Sequence, residues 1–472
     1  MAMIKKDSDE CSTSPLEWFT IMPTQTAIEK SADIEFQSLV PVSGRNALEF
    51  VVPASTEWYL DPKNSKLYVR YKILKDDDSK LGNDDVVAPV NDLLNSSFKN
   101  VELYMNDRLM SHSNNTHGYT SIIAHLIHDS EESMKSERAM RLIYKDTAGQ
   151  MDVTEARESN PDHLVPGFDM EFVAGDPAAE PAVPNTYRPI PAASVMGNHG
   201  LYKRYLHTRE SQAVEVLAPL RVDMFEQERY IPSGVSIKLR FHRQDDAFVL
   251  MAEENEYKLV IEDALLLMRK VRPSPGVQLG HHEALLKMPA KFPITRKECK
   301  VLSVAAGLRD VKKDNIFLGQ LPKRVVIGMV EGDAFAGAID KNPYNFKHFN
   351  TRHMQLFVDG EPARSQPLKP VMGNGQFVHS YETLYRGINR LDGEKGCIIK
   401  RSDWSRGYSL WAFDLTPDMD AEDHYALIKH GNLRLEVEFE EALDDPISVL
   451  IYAEFDNVVE ITADRNIQVD YV

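Results

Sequence analysis

From Lys99 to Met110 the chain reads KNVELYMNDRLM, with Val101, Leu103 and Met105 alternating with polar positions before a tight polar turn. The stretch RHMQLFVDGEPA, Arg352 to Ala363, repeats this arrangement. A period of two sends successive side chains to opposite faces and predicts half-buried strands. The same reading applies to SKLYVRYKIL (65–74), GVSIKLRFHR (234–243), YKLVIEDALLLM (257–268), RVVIGMV (324–330), NLRLEVEFEE (432–441) and ISVLIYAEFD (447–456). These are short, rich in β-branched and aromatic residues and bounded by turn formers. Helical spacing is rarer. It occurs in YTSIIAHL (119–126), running on into SEESMKSERAMRLI, and in YETLYRGI (381–388). Helices this few decorate a β framework and do not build a parallel βαβ sheet.

Offsets test whether the unit is written twice. Val101, Leu103 and Met105 match Met354, Leu356 and Val358 at 253 residues, and Tyr119, Ile122 and Leu126 match Tyr381, Leu384 and Ile388 at 262. Further on, VDM at 222–224 matches FDL at 413–415 at 191. Ile237, Leu239 and Phe241 match Leu435, Val437 and Phe439 at 198, and Leu259–Ile261 match Val449–Ile451 at 190. The falling offset implies an insertion of about 71 residues in the first copy. Between Lys145 and Gly200 lie seven prolines, which cannot continue a sheet and predict an irregular surface excursion. Phe168, Met170, Phe172 and Tyr187 are its expected apolar anchors, since a solvated linker would not need them.

Two copies of many short strands predict two sandwiches or barrels side by side, and the uneven connections favour tandem eight-stranded jelly rolls. The expected organisation is an N-terminal arm (1–32), a first roll (33–272, with the insertion at about 145–200), a linker (273–290) and a second roll (291–472). The proline-flanked RPSPGVQLGHHEALLKMPAKFP is the natural joint.

A chain of 472 residues with 43% hydrophobic residues can bury a sizeable core. A formal charge of -18 argues against a surface for nucleic acid or anionic membrane, which needs clustered Lys and Arg. The three widely spaced cysteines, Cys11, Cys299 and Cys397, fit reduced thiols and give neither a disulfide framework nor a zinc site. Without an apolar leader or a run of 18 apolar residues, neither secretion by the standard route nor a membrane span is expected, and the sequons at Asn95 and Asn114 are expected to stay unmodified.

Enzyme readings find little support. A duplicated jelly roll that binds metal, a bicupin, needs an HxH pair, and the sequence has none. His281 and His282 would point to opposite sides if extended. His348 and His353 have no partner carboxylate at ligand spacing. No GxSxG, P-loop or GxGxxG occurs. The pairs Asp245–Asp246 and Glu440–Glu441 follow strands as solvated hairpin ends. The chain is therefore expected not to be an enzyme, with no catalytic, cofactor-binding or metal-binding residue and no cofactor. A carbohydrate- or protein-binding double sandwich would present an aromatic platform. The four tryptophans, Trp18, Trp58, Trp404 and Trp411, are scattered, and Trp411 lies in a strand whose default is burial.

Three stretches carry a resemblance: LEWFTIMPTQTAIEKS, PVNDLLNSSFKNVELYMND, and LPKRVVIGMVEGDAFAGAIDKNPYNFKHFN followed by MQLFVDGE. From about Leu16 to the C-terminus the chain resembles the major capsid (hexon) proteins of Polinton or Maverick elements and adintoviruses. The resemblance implies a double jelly roll and a homotrimer of pseudo-hexagonal outline in an icosahedral shell around double-stranded DNA. A penton or minor single jelly-roll protein is then an expected partner, and the virion, assembled in host cytoplasm or nucleus, the expected location. No sequence-specific contact with nucleic acid is expected. The insertion would form an outer tower. In the arm, Leu16, Trp18, Phe19, Ile21 and Met22 form an apolar cluster costly to leave in water. Two placements are open: under its own first roll, or beneath the capsomer against a neighbouring subunit or minor capsid protein.

Overall fold

The computed structural model describes residues 14–16, 18–19, 21–82, 85–154, 170–173, 186–189, 197–317, 319–391, 396–417 and 424–469. The first half contributes β1 (Ile28–Gln37), β2 (Leu48–Val52), β3 (Tyr59–Lys75), β4 (Phe98–Met105), β5 (Arg108–His112), β6 (Val214–Pro219), β7 (Ile237–Arg243) and β8 (Tyr257–Pro273). The second contributes β9 (Ala290–Val304), β10 (Asp310–Lys313), β11 (Arg324–Glu331), β12 (Thr351–Val358), β13 (Glu361–Pro362), β14 (Leu410–Asp414), β15 (Leu433–Phe439), β16 (Ile447–Ile461) and a short β17 (Ile467–Val469). The helices used below are α1 (Leu93–Ser96), α2 (His117–His128), α3 (His199–Thr208), α4 (Asp223–Glu226), α5 (Pro275–Leu285) and α6 (Val378–Gly387).

The two halves share one topology. The first has antiparallel sheets ordered β1-β8-β3-β6 and β2-β7-β4-β5, and the second has β9-β16-β11-β14, with β17 on β16, and β10-β15-β12-β13. Each of these eight strands of the first roll thus has a counterpart eight labels later in the second. Alternation drives burial: Leu48, Phe50 and Val52 of β2 and Leu433, Leu435, Val437 and Phe439 of β15 point inward between half-exposed neighbours. The two stretches that revealed the repeat end in matched hairpins. Asn106 and Asp107 close β4 onto β5, and Asp359 and Gly360 close β12 onto β13, all four at positive φ, as two-residue turns that follow strand twist require. Pro62 would break the central β3, but the ladder to β8 skips from Lys66 to Asp61, and residues 62–65 bulge out of it.

The strand partners correct two expected offsets. Val101 faces Phe241 and Met354 faces Val437, so an offset of 253 in one strand requires 196 in the other, not 198. The error is one pleat, which keeps every side chain on the expected face. The VDM–FDL match fails. Val216 lies beside Val69 and Phe413 beside Val325, so β6 is the counterpart of β14, while Asp223 has already left the strand for α4. The helix at 117–128 also stops earlier than its sequence suggests, with Ser130 capping a separate turn at Glu131–Lys135.

Three further elements differ from expectation. β1 opens at Ile28, inside the stretch assigned to the arm. The joint, expected as a linker at 273–290, contains α5, a helix with Pro275 in its first turn. Within the insertion, Met170–Val173 pairs with Thr186–Pro189 as a hairpin that sets Phe172 opposite Tyr187 and Met170 opposite Pro189, while Phe168 lies outside the described residues.

The rolls do not have separate interiors. Ten of the twelve residues of α2 are buried, and Thr116 at its start hydrogen-bonds the Cys299 carbonyl of β9 at 3.4 Å. Tyr119 and Phe248 from the first roll meet Phe335 and Tyr344 from the second, with ring centroids 5.5 to 6.1 Å apart. Such pairs contribute about 0.5–1.5 kcal/mol each beyond burial. The backbone approaches closely here: a Cβ on Gly118 would stand 2.7 Å from the Tyr344 hydroxyl. The Tyr344 hydroxyl also bonds Ser96 of α1 at 2.5 Å. At the far side, Asn106 donates to the Arg465 carbonyl at 2.9 Å, and Arg465 to the Ser233 carbonyl at 2.6 Å.

Two glycines give opposite expectations. On α6, a Cβ at Gly387 would lie 2.4 Å from the Ala412 carbonyl of β14, so Gly387→Val should destabilise the chain by about 3 kcal/mol or more. Nothing lies within 4 Å of a Cβ at Gly280 in α5, so Gly280→Ala should stabilise by about 1 kcal/mol. Urea unfolding of the two variants measures both.

Candidate functional site

The residues weighed for chemistry are dispersed into structural roles. His281 lies on α5, its ring stacked on Tyr59 and its Nδ1 3.2 Å from the Tyr59 hydroxyl. His348 and His353 are half-buried, and His348 Nδ1 accepts from the Asn350 amide at 3.0 Å. Asp246 pairs with Arg45, and Glu440 and Glu441 are exposed. Trp404 and Trp411 are wholly buried against each other, edge to face at 5.3 Å, while Trp58 is half-buried. Among the described residues, no group of three or more His, Cys, Asp or Glu side chains could hold a metal ion.

What the fold concentrates is charge between the rolls. Asp92, His125, Asp129, Arg138 and Arg221 of the first roll form a connected cluster. Arg138 grips Asp129 through two bonds of 2.8 and 2.6 Å, and His125 Nδ1 is 2.7 Å from the same carboxylate. Arg221 continues to Glu226 on α4 at 3.3 Å, and Glu226 pairs with Lys297 of β9. The Lys297 amide donates to Asp223 at 3.3 Å. Deeper in the second roll Arg324 meets Glu454 at 3.0 Å. Burial opposes ionisation of Glu226, but Lys297 and Arg221 outweigh it and bring its pKa down to about 2. Burial pushes Asp223 up to about 7, Lys297 opposing and Glu226 adding to the rise. His117, enclosed at the start of α2, is pushed by burial down to about 4.

The second concentration is apolar and exposed. Leu16, Trp18, Phe19, Ile21 and Met22 are 68–97% exposed, so the arm's cluster packs against neither roll. α5 has no buried residue, and Leu279, Leu286 and Met288 in and just beyond it are exposed. Near β15, Tyr425, Leu427 and Ile428 are exposed beside a cavity of about 270 Å³ in the second roll. A wider, polar cavity of about 510 Å³ adjoins it between the rolls, lined by Asp223, Glu226, Lys323 and Asp456. The arm was visible in the sequence as an apolar cluster, whereas the exposed apolar residues of α5 and the cavity were not. Their signals were the Ser274-Pro275 start of α5 and the run YALI at 425–428.

No family model matches the chain. A curated relative, "Uncharacterized protein F54H12.2" of Caenorhabditis elegans, is 20% identical over 463 residues, spanning 95% of this chain and 99% of its own. A chain in the cryo-EM structure of the Sputnik virophage superposes over 99% of this chain and 94% of its own, with TM-score 0.63 and 12% identity. The mavirus major capsid protein covers 100% of this chain and 97% of its own, with TM-score 0.52 and 11% identity. The chain has the double jelly-roll fold of viral major capsid proteins.

The inter-roll cluster predicts opposing pH effects. Asp223 has a folded pKa above its unfolded one, so its contribution is full below about pH 4 and is lost as pH rises towards 7. Glu226 and His117 have depressed values, so their contributions are full above their unfolded pKa and are lost as pH falls towards about 2 and 4 respectively. Asp223→Asn should therefore gain stability relative to wild type as pH rises from 4 to 7, by at most about 4 kcal/mol. Urea midpoints across that range read the difference, and a constant difference would contradict the assignment.

Proposed function

We propose that this chain is a structural, non-enzymatic major capsid protein. In this reading it forms homotrimeric, pseudo-hexameric capsomers of an icosahedral shell around double-stranded DNA. The observation that carries the reading is the end-to-end likeness to a virophage structure across both rolls, 99% of this chain and 94% of the other. The repeated topology supports it physically. Two fused rolls of one order, arranged threefold, present six similar wedges that tile a hexagonal lattice, and closed symmetry supplies large interfaces. The packed inter-roll junction supports it too, since a tile must hold its angle under load.

The finer assignments in the proposal are the Polinton, Maverick or adintovirus lineage, carried by the stretches LEWFTIMPTQTAIEKS and MQLFVDGE, and a penton or minor single jelly-roll partner. The protein then resides in the virion. The domain plan is an arm ahead of two rolls joined at α5. The insertion, interrupting only the first roll and carrying the paired strands 170–173 and 186–189, becomes the outer tower, with Phe168, Met170, Phe172 and Tyr187 as the apolar anchors of its loop and neighbouring subunits intertwined there.

Sedimentation should report three times the 53.6 kDa chain mass, and electron microscopy threefold capsomers or shells. A stable monomer at micromolar concentration would sink the reading. Limited proteolysis of assembled trimers should cut within residues 145–200 before either roll. A reconstruction with that segment on the inner surface would refute the tower.

A further inference from the structure

Among the described residues, two apolar surfaces stand uncovered at the same end of the molecule. The arm leaves the first roll beside α5: the Ser274 amide donates to the Ala27 carbonyl at 2.8 Å, and Ile28 lies opposite Pro273. α5 then leads into β9, whose first residue, Ala290, lies opposite Ile461 near the end of β16. The 270 Å³ cavity opens a few residues from that point. Lys323, on its wall, donates its amide to the Glu454 carbonyl at 2.8 Å, and Gln320 bonds the Asp456 carbonyl at 3.0 Å. Its apolar lining comes from Leu321, Val358, Ala363, Leu415, Leu427 and Ile428.

We propose, resting on the capsid reading, that the apolar arm of one copy seats in this groove on the second roll of a neighbouring copy. The occupant follows from three observations. The groove is smaller than the roughly 300–1,000 Å³ of a site for a drug-sized ligand, and suits inserted side chains of a peptide. The arm offers them in LEWFTIM, where Trp18 and Phe19 would each remove about 150–250 Å² from water. Its single acid, Glu17, can meet Lys429 at a groove wall that also carries Lys323, Asp414 and Asp456. Reach permits exchange. The stretch from Leu16 to Ala27 extends to about 35 Å, whereas a roll of some 180 residues has a radius of gyration of about 16 Å. Among the described residues, the single chain leaves both its arm and its groove open, although they share one end.

Disulfide trapping in the full chain tests this, with Cys11→Ser in every variant so that the arm carries only the introduced thiol. Chains with Phe19→Cys and chains with Leu427→Cys are mixed, assembled and mildly oxidised. The mixture should give about tenfold or more cross-linked product, at twice the 53.6 kDa chain mass, than either variant alone or a Phe19→Cys mixture with Leu39→Cys, because seating raises the effective concentration. Adding Ala363→Trp, which fills the groove, should abolish the product while capsomers still form. Capsomers without the cross-link would overturn the arm exchange and leave the capsid reading intact. A chain carrying both cysteines that closes only on itself would also overturn it, since the arm then folds back in cis. A specific cross-link in a protein that never forms capsomers would uphold the exchange and remove the capsid reading.

Discussion

The structure depends on the apolar contact that joins its two rolls. Tyr119 and Phe248 interleave with Phe335 and Tyr344, and α2, buried on nearly every side, serves as wall to both interiors. One connected set of buried side chains consequently runs from Leu48 in β2 to Ile467 in β17. A chain with two independent cores would hinge at α5, which buries nothing and could not resist bending. Here the angle between the rolls is set by packing, and small residues make that packing possible. Gly118 admits the Tyr344 hydroxyl, and Gly337, at φ +96°, lies against Phe248.

Charge is placed around this contact where it adds discrimination more than adhesion. Burying Asp129, Arg138, Arg221, Glu226 and Lys297 costs solvation that their mutual pairing offsets, so the net gain over an apolar junction is small. A misaligned junction, however, would strand unpaired charges, each costly to bury. The cluster thus penalises wrong approaches of the rolls, while the aromatic group supplies the attraction. Asp223 is the exception within it, a carboxyl whose surroundings favour the neutral form.

What the sequence made legible follows the range of the forces involved. The strands, the matched turns at Asn106–Asp107 and Asp359–Gly360 and the doubling of the unit are local patterns, and each recurs in the structure. The burial of Trp411 was visible in the same way. Misreadings arose where similar local patterns have different partners: VDM resembles FDL, yet only Phe413 and Asp414 of the second lie in a strand. α5 lies within the expected linker, where prolines at both ends suggest a joint and Ser274-Pro275 is a helix start signal. The charged cluster was not legible, because Glu226 and Lys297 are separated by strands β7 and β8 and helix α5, and only the folded chain brings them together.

The order of the strands also governs when the molecule can form. β8 lies between β1 and β3 in its sheet, and β16 between β9 and β11. Each roll is therefore missing a central strand until nearly its last residue has been made. At about 5–20 residues per second, β1 waits roughly 10–50 s on the ribosome for its partner. Contacts this distant in sequence are slow to close and leave apolar strand faces open meanwhile. Production of this protein is a problem of timing, and its vulnerable interval is translation itself, when half-made rolls crowd together at high local concentration.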